Sequence, residues 1–174
     1  VDLQHRSVQP VSVLLQPLFR KLHTVSLSGL GYGTGASTES SGERRVIRDL
    51  PSTGSKAPIV FDVGANIGQY CTLAKDEAPN ALIFSFEPVQ ATFSALQQAV
   101  KELAGVSVLN YGLGDMDQRI DLHLDQLGAT TATAYPDGLP VVGTKSVFVE
   151  SVQIRRLDSV VSELGVPYID LLKI

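Results

Sequence analysis

A glycine-containing turn between a predicted strand and a predicted helix is the first feature of the sequence that suits binding chemistry. The segment Asp62–Gly68 reads Asp-Val-Gly-Ala-Asn-Ile-Gly and follows the apolar run that begins at Ile59. Gly64 and Gly68 permit backbone angles closed to other residues and let a ligand approach the main chain. The helix that follows presents N–H groups at its start that have no intrahelical partner. Asn66 stands where the dinucleotide fingerprint G-x-G-x-x-G has its second glycine, so that fingerprint is imperfect. The alternative is a tight turn that binds nothing.

A carboxylate at the end of the next predicted strand favours a ligand that contains a ribose. Glu87 lies 19 residues after Gly68 and directly follows the apolar run 81–86. In a parallel α/β sheet, this position points into the crevice beyond the strand ends, where a carboxylate accepts hydrogen bonds from two adjacent ribose hydroxyls. The same charge would repel a 2′-phosphate. The alternative is an acid at a strand end that meets only solvent.

A third segment with binding potential, Asn110–Asp115, follows the third predicted strand. Ligands of open α/β sheets bind beyond the carboxyl ends of the strands, so this segment would lie over a base. Gly112 and Leu113 would offer backbone and apolar contact to an adenine, and Asp115 would accept a hydrogen bond from its amino group. The alternative is a Gly-Asp turn that leads into the next strand.

The order of the predicted elements supplies a sheet that brings these segments together. Continuous apolar runs predict buried strands at 59–63, 81–86, 106–109 and 168–174. Helices predicted at 67–77 and 90–104 separate the first three strands and give a βαβαβ order with parallel strands. We expect the first strand to lie between the second and the last. The predicted fold class is therefore α/β, with a mostly parallel, doubly wound sheet.

The remaining segments predict elements around that sheet. Alternating apolar and polar residues predict a strand with one solvated face at 120–124, and a slip in the alternation near Ser151 indicates a bulge in a further strand. Asp158 is expected to cap a short helix ending near Gly165. The other predicted elements are a helix at 11–25 that is kinked at Pro17 or begins there, a loop at 26–42, a short helix at 43–50, a linker at 51–58, a loop at 125–145 and a strand at 146–154.

Composition limits the possible partners. The 174 residues carry a net charge of −4, with acids and bases interspersed, so we expect no nucleic-acid partner. The apolar run Val11–Leu15 is too short to span a membrane and lacks the small-residue cleavage site of a signal peptide. One cysteine allows no internal disulfide, which suits the cytoplasm. The scattered histidines, His5, His23 and His123, suggest no metal site.

Taken together and in order, these segments resemble the FkbM family of methyltransferases. The likeness covers about residues 43–174. It rests on Val60–Tyr70, Phe86-Glu87-Pro88, Gly112–Asp115, Leu157-Asp158-Ser159 and Ile169–Ile174. The resemblance implies a Rossmann-like class I methyltransferase fold, S-adenosylmethionine as the methyl donor, and usually transfer to a hydroxyl oxygen. It also implies that the last strand continues into Asp-x-Glu-Gly after Ile174, so the chain is expected to be a C-terminally incomplete domain.

The resemblance implies a role for each site residue. The segment Asp62–Gly68 would hold the methionine portion of the donor, with the Asp62 carboxylate or nearby amides close to its ammonium. Glu87 would hold the ribose, and the Gly112–Asp115 segment would face adenine. The cofactor-binding residues expected are Asp62, Gly64, Ala65, Asn66, Gly68, Glu87, Gly112, Leu113 and Asp115.

Two further residues are weak candidates for the catalytic site. Glu43 belongs to a Gly-Glu segment similar to one that many family members carry, and its alternative is an exposed acid at a helix start. Lys173 would touch the transfer site or reach solvent from a strand end. The catalytic base is expected among acids beyond Ile174. Cys71 is expected to pack inside the first helix of the sheet domain.

The predicted function is therefore S-adenosylmethionine-dependent O-methylation of a hydroxyl on a small-molecule or sugar-like acceptor. Residues 1–50 would form an N-terminal extension, and residues 51–174 would form the donor-binding domain. Two alternatives stay open at this point. One is a non-catalytic fragment or binding module that retains the donor site, and the other is a nucleotide-binding oxidoreductase, against which Asn66 and the strand-rich segment after Asp115 argue. The oligomeric state is not predictable.

Overall fold

The computed structural model describes residues 15–29, 43–50, 57–124, 132–133 and 148–174. The chain divides into two compact units, Val1–Arg45 and Val46–Ile174. The helices are α1 (Gln16–Gly29), α2 (Glu43–Asp49), α3 (Gln69–Glu77), α4 (Gln90–Val100) and α5 (Leu157–Glu163). The strands are β1 (Ile59–Val63), β2 (Leu82–Phe86), β3 (Val106–Leu109), β4 (Gly112–Gly114), β5 (Gln118–Leu124), β6 (Ala132–Thr133), β7 (Phe148–Arg156) and β8 (Leu171–Lys173).

A four-stranded parallel sheet forms the centre of the second unit. Its strand order is β3-β2-β1-β8, and every neighbouring pair is parallel. The prediction that the first strand lies between the second and the last is confirmed. The carboxyl ends of β1 and β2 are therefore adjacent, which brings Asp62–Gly68 and Glu87 to the same edge of the sheet.

Side chains that alternate along the strands cover both faces of this sheet. Val60 and Ile83 pack on one face against Leu73 of α3 and Leu96 of α4. On the other face, the aromatic residues of β1 and β2 pack with Val160 of α5. This arrangement explains the continuous apolar runs, because a strand covered on both sides has no solvated face. The Rossmann-like α/β fold with a doubly wound sheet is confirmed.

A second four-stranded sheet follows, with the order β4-β7-β5-β6. Strand β7 pairs antiparallel with β5 and parallel with β4. On β5, Leu122 and Leu124 are buried while Arg119 and Asp121 are exposed, so the prediction of one solvated face is confirmed. The predicted loop at 125–145 is partly wrong, because Ala132–Thr133 pairs with the end of β5.

Two local predictions in this region are wrong. No bulge occurs near Ser151, because the β5–β7 register runs without interruption and pairs Ser151 with Asp121. Asp158 does not cap α5, which begins at Leu157 with Arg156 as its N-cap residue. Asp158 instead accepts a hydrogen bond of 2.7 Å from the Arg156 guanidinium.

Helix bounds depart from the predictions where backbone geometry decides them. Helix α3 begins at Gln69, because Asn66 (φ 51°) and Gly68 (φ 90°) have left-handed backbone conformations. Helix α4 ends at Val100, four residues early, although Gly105 still has a positive φ of 77°. Helix α1 begins one residue before Pro17 and continues to Gly29.

No helix among the described residues is long and apolar enough to cross a membrane. The predictions for 11–14, 30–42, 51–56 and most of 125–147 lie outside the described residues.

Candidate functional site

The turn after β1 is fastened to the end of β2 by its own backbone. The amides of Gly64 and Ala65 both donate to the Phe86 carbonyl, at 2.9 and 3.0 Å. The Gly68 amide donates to the Ala65 carbonyl at 2.9 Å and closes the turn before α3. The first amides of the turn therefore shape the turn itself and are not directed at a ligand.

The two glycines of the turn have different reasons to be glycine. A Cβ at Gly68 would lie 2.9 Å from Leu96 Cδ1 and 3.2 Å from Val100 Cγ1, so Gly68 lets α4 pack closely on the turn. A Cβ at Gly64 would have no atom within 4 Å among the described residues, its two chain neighbours apart. Both have positive φ, which glycine adopts at no steric cost. The backbone of Gly64 thus borders open space, as a ligand lying on the main chain requires.

Glu87 connects this turn to the start of α4. Its Oε2 accepts a hydrogen bond of 2.9 Å from the Asn66 amide. Its Oε1 accepts bonds of 2.9 Å from the Val89 amide and from the Thr92 hydroxyl. A carboxylate has about four acceptor sites, so about one remains for a ligand. Only 6% of Glu87 is exposed, and the carboxylate therefore organises the site as well as lining it.

The structure pairs Lys173 with Asp62, which the sequence did not indicate. The two residues are register partners on β8 and β1, and Lys173 Nζ lies 2.9 Å from Asp62 Oδ1. The same ammonium donates to the carbonyls of Val63 and Gly64, at 3.3 and 3.2 Å. It also lies 5.5 Å from the centre of the Tyr70 ring. Asp62 is completely buried, and Lys173 forms an ion pair with it in this structure.

The Gly112–Asp115 segment reaches the site through strand β4. A Cβ at Gly112 would lie 2.7 Å from Ile154 Cδ1, and one at Gly114 would lie 2.8 Å from Ile154 Cγ2. Close packing of β7 therefore accounts for both glycines. Leu113 packs in the apolar cluster under α5, and Asp115 is exposed. The structure thus assigns Gly112 and Leu113 packing contacts inside the protein.

Three polar residues that the sequence did not single out hold these parts together. Thr92 is buried and bonds Glu87 as described above. The Asn110 side chain donates to the carbonyls of Glu87 and Pro88, at 2.9 and 3.2 Å. Glu150 of β7 accepts a bond of 2.8 Å from the Gln90 amide at the start of α4. The partners of Asn110 and Glu150 lie 22 to 60 residues away, so no local sequence signal identifies these two residues. Thr92 lies five residues from its partner Glu87.

An apolar cavity of about 190 Å³ opens beside the carboxyl end of β1. This volume is below the roughly 300–1,000 Å³ of sites that enclose a drug-sized ligand, so the cavity would take only part of a ligand. Its lining residues are Val63, Leu113, Gly114, Leu157, Leu172 and Ile174.

Two further residues that the sequence singled out are Glu43 and Cys71. Glu43 is the first residue of α2 and belongs to the first compact unit. Cys71 is buried in α3, as predicted, and burial raises the pKa of its thiol to about 11. Within the described ranges, no group of His, Cys, Asp or Glu side chains could hold a metal ion. His5 lies outside the described residues.

The part of the chain that forms the candidate site matches a family of known proteins. The family model described as the methyltransferase FkbM domain matches residues 62–174, from the buried acid of β1 to the end of the chain. The match therefore includes the turn, Glu87, the Gly112–Asp115 segment and Lys173.

Two curated relatives are methyltransferases by name. The chain is 35% identical over 86 residues to 31-O-demethyl-FK506 methyltransferase FkbM of Streptomyces tacrolimicus, covering 49% of this chain and 29% of that protein. It is 35% identical over 65 residues to Methyltransferase 1 of Beauveria bassiana, covering 36% of this chain and 26% of that protein. The matched regions thus span less than a third of either relative.

A solved structure is also similar, the precorrin-6y C5,15-methyltransferase from Geobacter metallireducens. It is 17% identical, has a TM-score of 0.32, and covers 47% of this chain and 44% of that one.

Proposed function

The chain belongs to the FkbM methyltransferase family, and from that premise we propose that it binds S-adenosylmethionine and serves O-methylation of a small-molecule or sugar-like acceptor. The observation that carries the proposal is the open space above the Gly64 backbone, next to the carboxylate of Glu87. These two features meet at the carboxyl edge of a parallel sheet, which is where ligands bind in such folds.

The residues present fit this donor. Space above Gly64 admits a ligand against the main chain, since a Cβ built there meets no atom within 4 Å in the described residues, its chain neighbours apart. The remaining acceptor capacity of Glu87 suits one ribose hydroxyl, because three of its roughly four acceptor sites already have protein donors. Of the Gly112–Asp115 segment, Asp115 is the residue proposed to accept a hydrogen bond from the adenine, because its side chain is exposed.

The bound donor would supply an electrophilic methyl group that needs no further activation. The chain's task is then to hold the donor in one orientation and to exclude water from its methyl end. Asn66 and Val89 are tied to one carboxylate, so the turn and the start of α4 are held as one rigid wall. Such preorganisation is what alignment of donor and acceptor requires.

The proposal that the acceptor is a hydroxyl group is supported by the name of one relative. The name of the Streptomyces protein specifies transfer to an oxygen, and that protein is 35% identical to this chain over 86 residues. Removal of the hydroxyl proton calls for a base. Lys173 is a poor candidate, because its ammonium is engaged by Asp62 and two carbonyls.

Isothermal titration of the chain with S-adenosylhomocysteine, and in parallel with NAD, tests the donor site. We expect saturable one-to-one binding of S-adenosylhomocysteine and none of NAD. Preference for NAD would favour an oxidoreductase. Transfer of a deuterated methyl group from donor to extract molecules by the full-length protein, followed by mass spectrometry, then tests catalysis. Donor binding without any methyl transfer would favour the alternative that the chain is a non-catalytic binding module.

A further inference from the structure

The ammonium of Lys173 contacts one continuous piece of the donor turn. It forms an ion pair with Asp62, whose Oδ1 lies 2.9 Å away, and it donates hydrogen bonds to the carbonyls of Val63 and Gly64 at 3.3 and 3.2 Å. A lysine side chain carries several N–H donors on one nitrogen, so it can serve both carbonyls and still face the carboxylate. Strand β8 therefore contacts the turn both through charge and through hydrogen bonds.

The position of this cation follows from the sheet. Asp62 and Lys173 are register partners on the neighbouring strands β1 and β8, so their side chains leave the same face side by side. Asp62 is completely buried, whereas about a quarter of the Lys173 side chain is exposed. A buried carboxylate is costly unless it is paired, and the cation is supplied from the rim of the sheet.

Lys173 also bonds two backbone carbonyls of the turn, in addition to its ion pair with Asp62. Val63 and Gly64 form the point where β1 turns away from the sheet, and Gly64 has a φ of 70° there. The amides of Gly64 and Ala65 donate hydrogen bonds to the Phe86 carbonyl of β2. The carbonyls of Val63 and Gly64 accept hydrogen bonds from Lys173 of β8. The turn is thus held from both neighbouring strands.

We propose that Lys173 is a positioning residue for the donor. It holds the Val63–Gly64 turn in the conformation that leaves the space above Gly64 open. This inference rests on the proposed function, because it assumes that the donor occupies that space. It assigns Lys173 no contact with the reacting atoms.

The test compares Lys173→Met, Lys173→Arg and the control Lys101→Met by calorimetric titration with S-adenosylhomocysteine. Lys101 is an exposed lysine at the end of α4, so its replacement removes the same charge away from the turn. We expect Lys173→Met to raise the Kd at least tenfold. Lys173→Arg should stay within about threefold of the wild type, since its guanidinium still reaches the carboxylate and the carbonyls. Lys101→Met should bind as the wild type does.

Loss of stability alone would not account for these results, and a second variant separates the two effects. Asp62→Asn/Lys173→Met removes both charges of the ion pair, so no buried carboxylate loses its lysine. Because the carbonyls of Val63 and Gly64 still lose their donor, we expect its Kd to stay at least tenfold above that of Asp62→Asn alone.

Wild-type affinity in this double variant, or in a folded Lys173→Met protein, would overturn the inference while the proposed function stands. Failure of the wild type itself to bind S-adenosylhomocysteine would refute the proposed function, and this inference with it.

Discussion

Close packing of Ile154 against strand β4 predicts a specific pattern of stability changes at two glycines. Neither Gly112 nor Gly114 has a positive φ, so their backbones would accept alanine. The obstacle is one side chain. A Cβ at Gly112 would meet Ile154 Cδ1 at 2.7 Å, and a Cβ at Gly114 would meet Ile154 Cγ2 at 2.8 Å.

The two contacts differ in how easily they give way. Cδ1 is the free end of the isoleucine side chain and moves by rotation, whereas Cγ2 is attached to the branched Cβ and moves only with the χ1 angle or the backbone. Overpacking in a core costs about 1–3 kcal/mol. We therefore expect Gly114→Ala to lower the free energy of unfolding by about 2 kcal/mol, and Gly112→Ala by about 1 kcal/mol or less.

Ile154→Val supplies the matched control, since it removes Cδ1 and keeps Cγ2. On its own it should cost about 0.5–1.5 kcal/mol. Combined with Gly112→Ala, it should cost less than the sum of the two single changes, because the clash is gone. Combined with Gly114→Ala, it should be additive within about 0.5 kcal/mol.

Urea unfolding of the two glycine variants, the Ile154→Val variant and both double variants measures these free energies. Equal coupling of Ile154→Val to both glycines would refute the packing argument. So would a Gly112→Ala protein of wild-type stability that has lost its affinity for S-adenosylhomocysteine, because ligand contact and not Ile154 would then explain that glycine.

Three other perturbations have expected outcomes. Glu87→Ala should lower the free energy of unfolding by about 3 kcal/mol or more in urea titrations, because three donors lose their acceptor, and Glu87→Gln should cost less since one oxygen remains; equal costs would contradict this. Gly64→Ala should cost about 1 kcal/mol from strain at φ 70° and should abolish the rise in melting temperature that S-adenosylhomocysteine causes, whereas a retained rise would place the ligand elsewhere. Burial raises the pKa of the Cys71 thiol to about 11, so this thiol should resist alkylation at pH 8 in the folded protein and react in urea. Its contribution to the free energy of unfolding should be complete below pH 9 and fall as the pH rises towards 11. Rapid alkylation of the native protein would contradict the burial.

The parallel sheet could be predicted from the sequence because its signals are local. Strand β1 coincides with the predicted 59–63, since it is a short apolar run buried on both faces. Strand β3 coincides with 106–109, although Ser107 is exposed and the other residues of that strand are only partly buried. The turn after β1 and the place of Glu87 follow from the same order of elements. The secondary structure that depends on a local run of residues was therefore predictable.

The contacts that complete the site could not be predicted, because they join distant segments. Lys173 reaches Asp62 across 111 positions, and Ile154 touches Gly112 across 42. The same limit explains the bulge predicted near Ser151, where the slip in alternation does not interrupt the pairing with β5. Sequence patterns predict which residues share a face of a strand, but the elements that pack against the strand determine what each face contacts.

Amide chemical-shift mapping by NMR, with S-adenosylhomocysteine added to the labelled protein, tests most directly whether the turn and Glu87 form the donor site. The account predicts saturable, one-to-one shifts concentrated at Gly64, at the Asn66 amide and at the Val89 amide, since the last two are bonded to Glu87. NAD at the same concentration should leave these amides unmoved. Shifts confined to other parts of the domain, or none at millimolar S-adenosylhomocysteine, would contradict it.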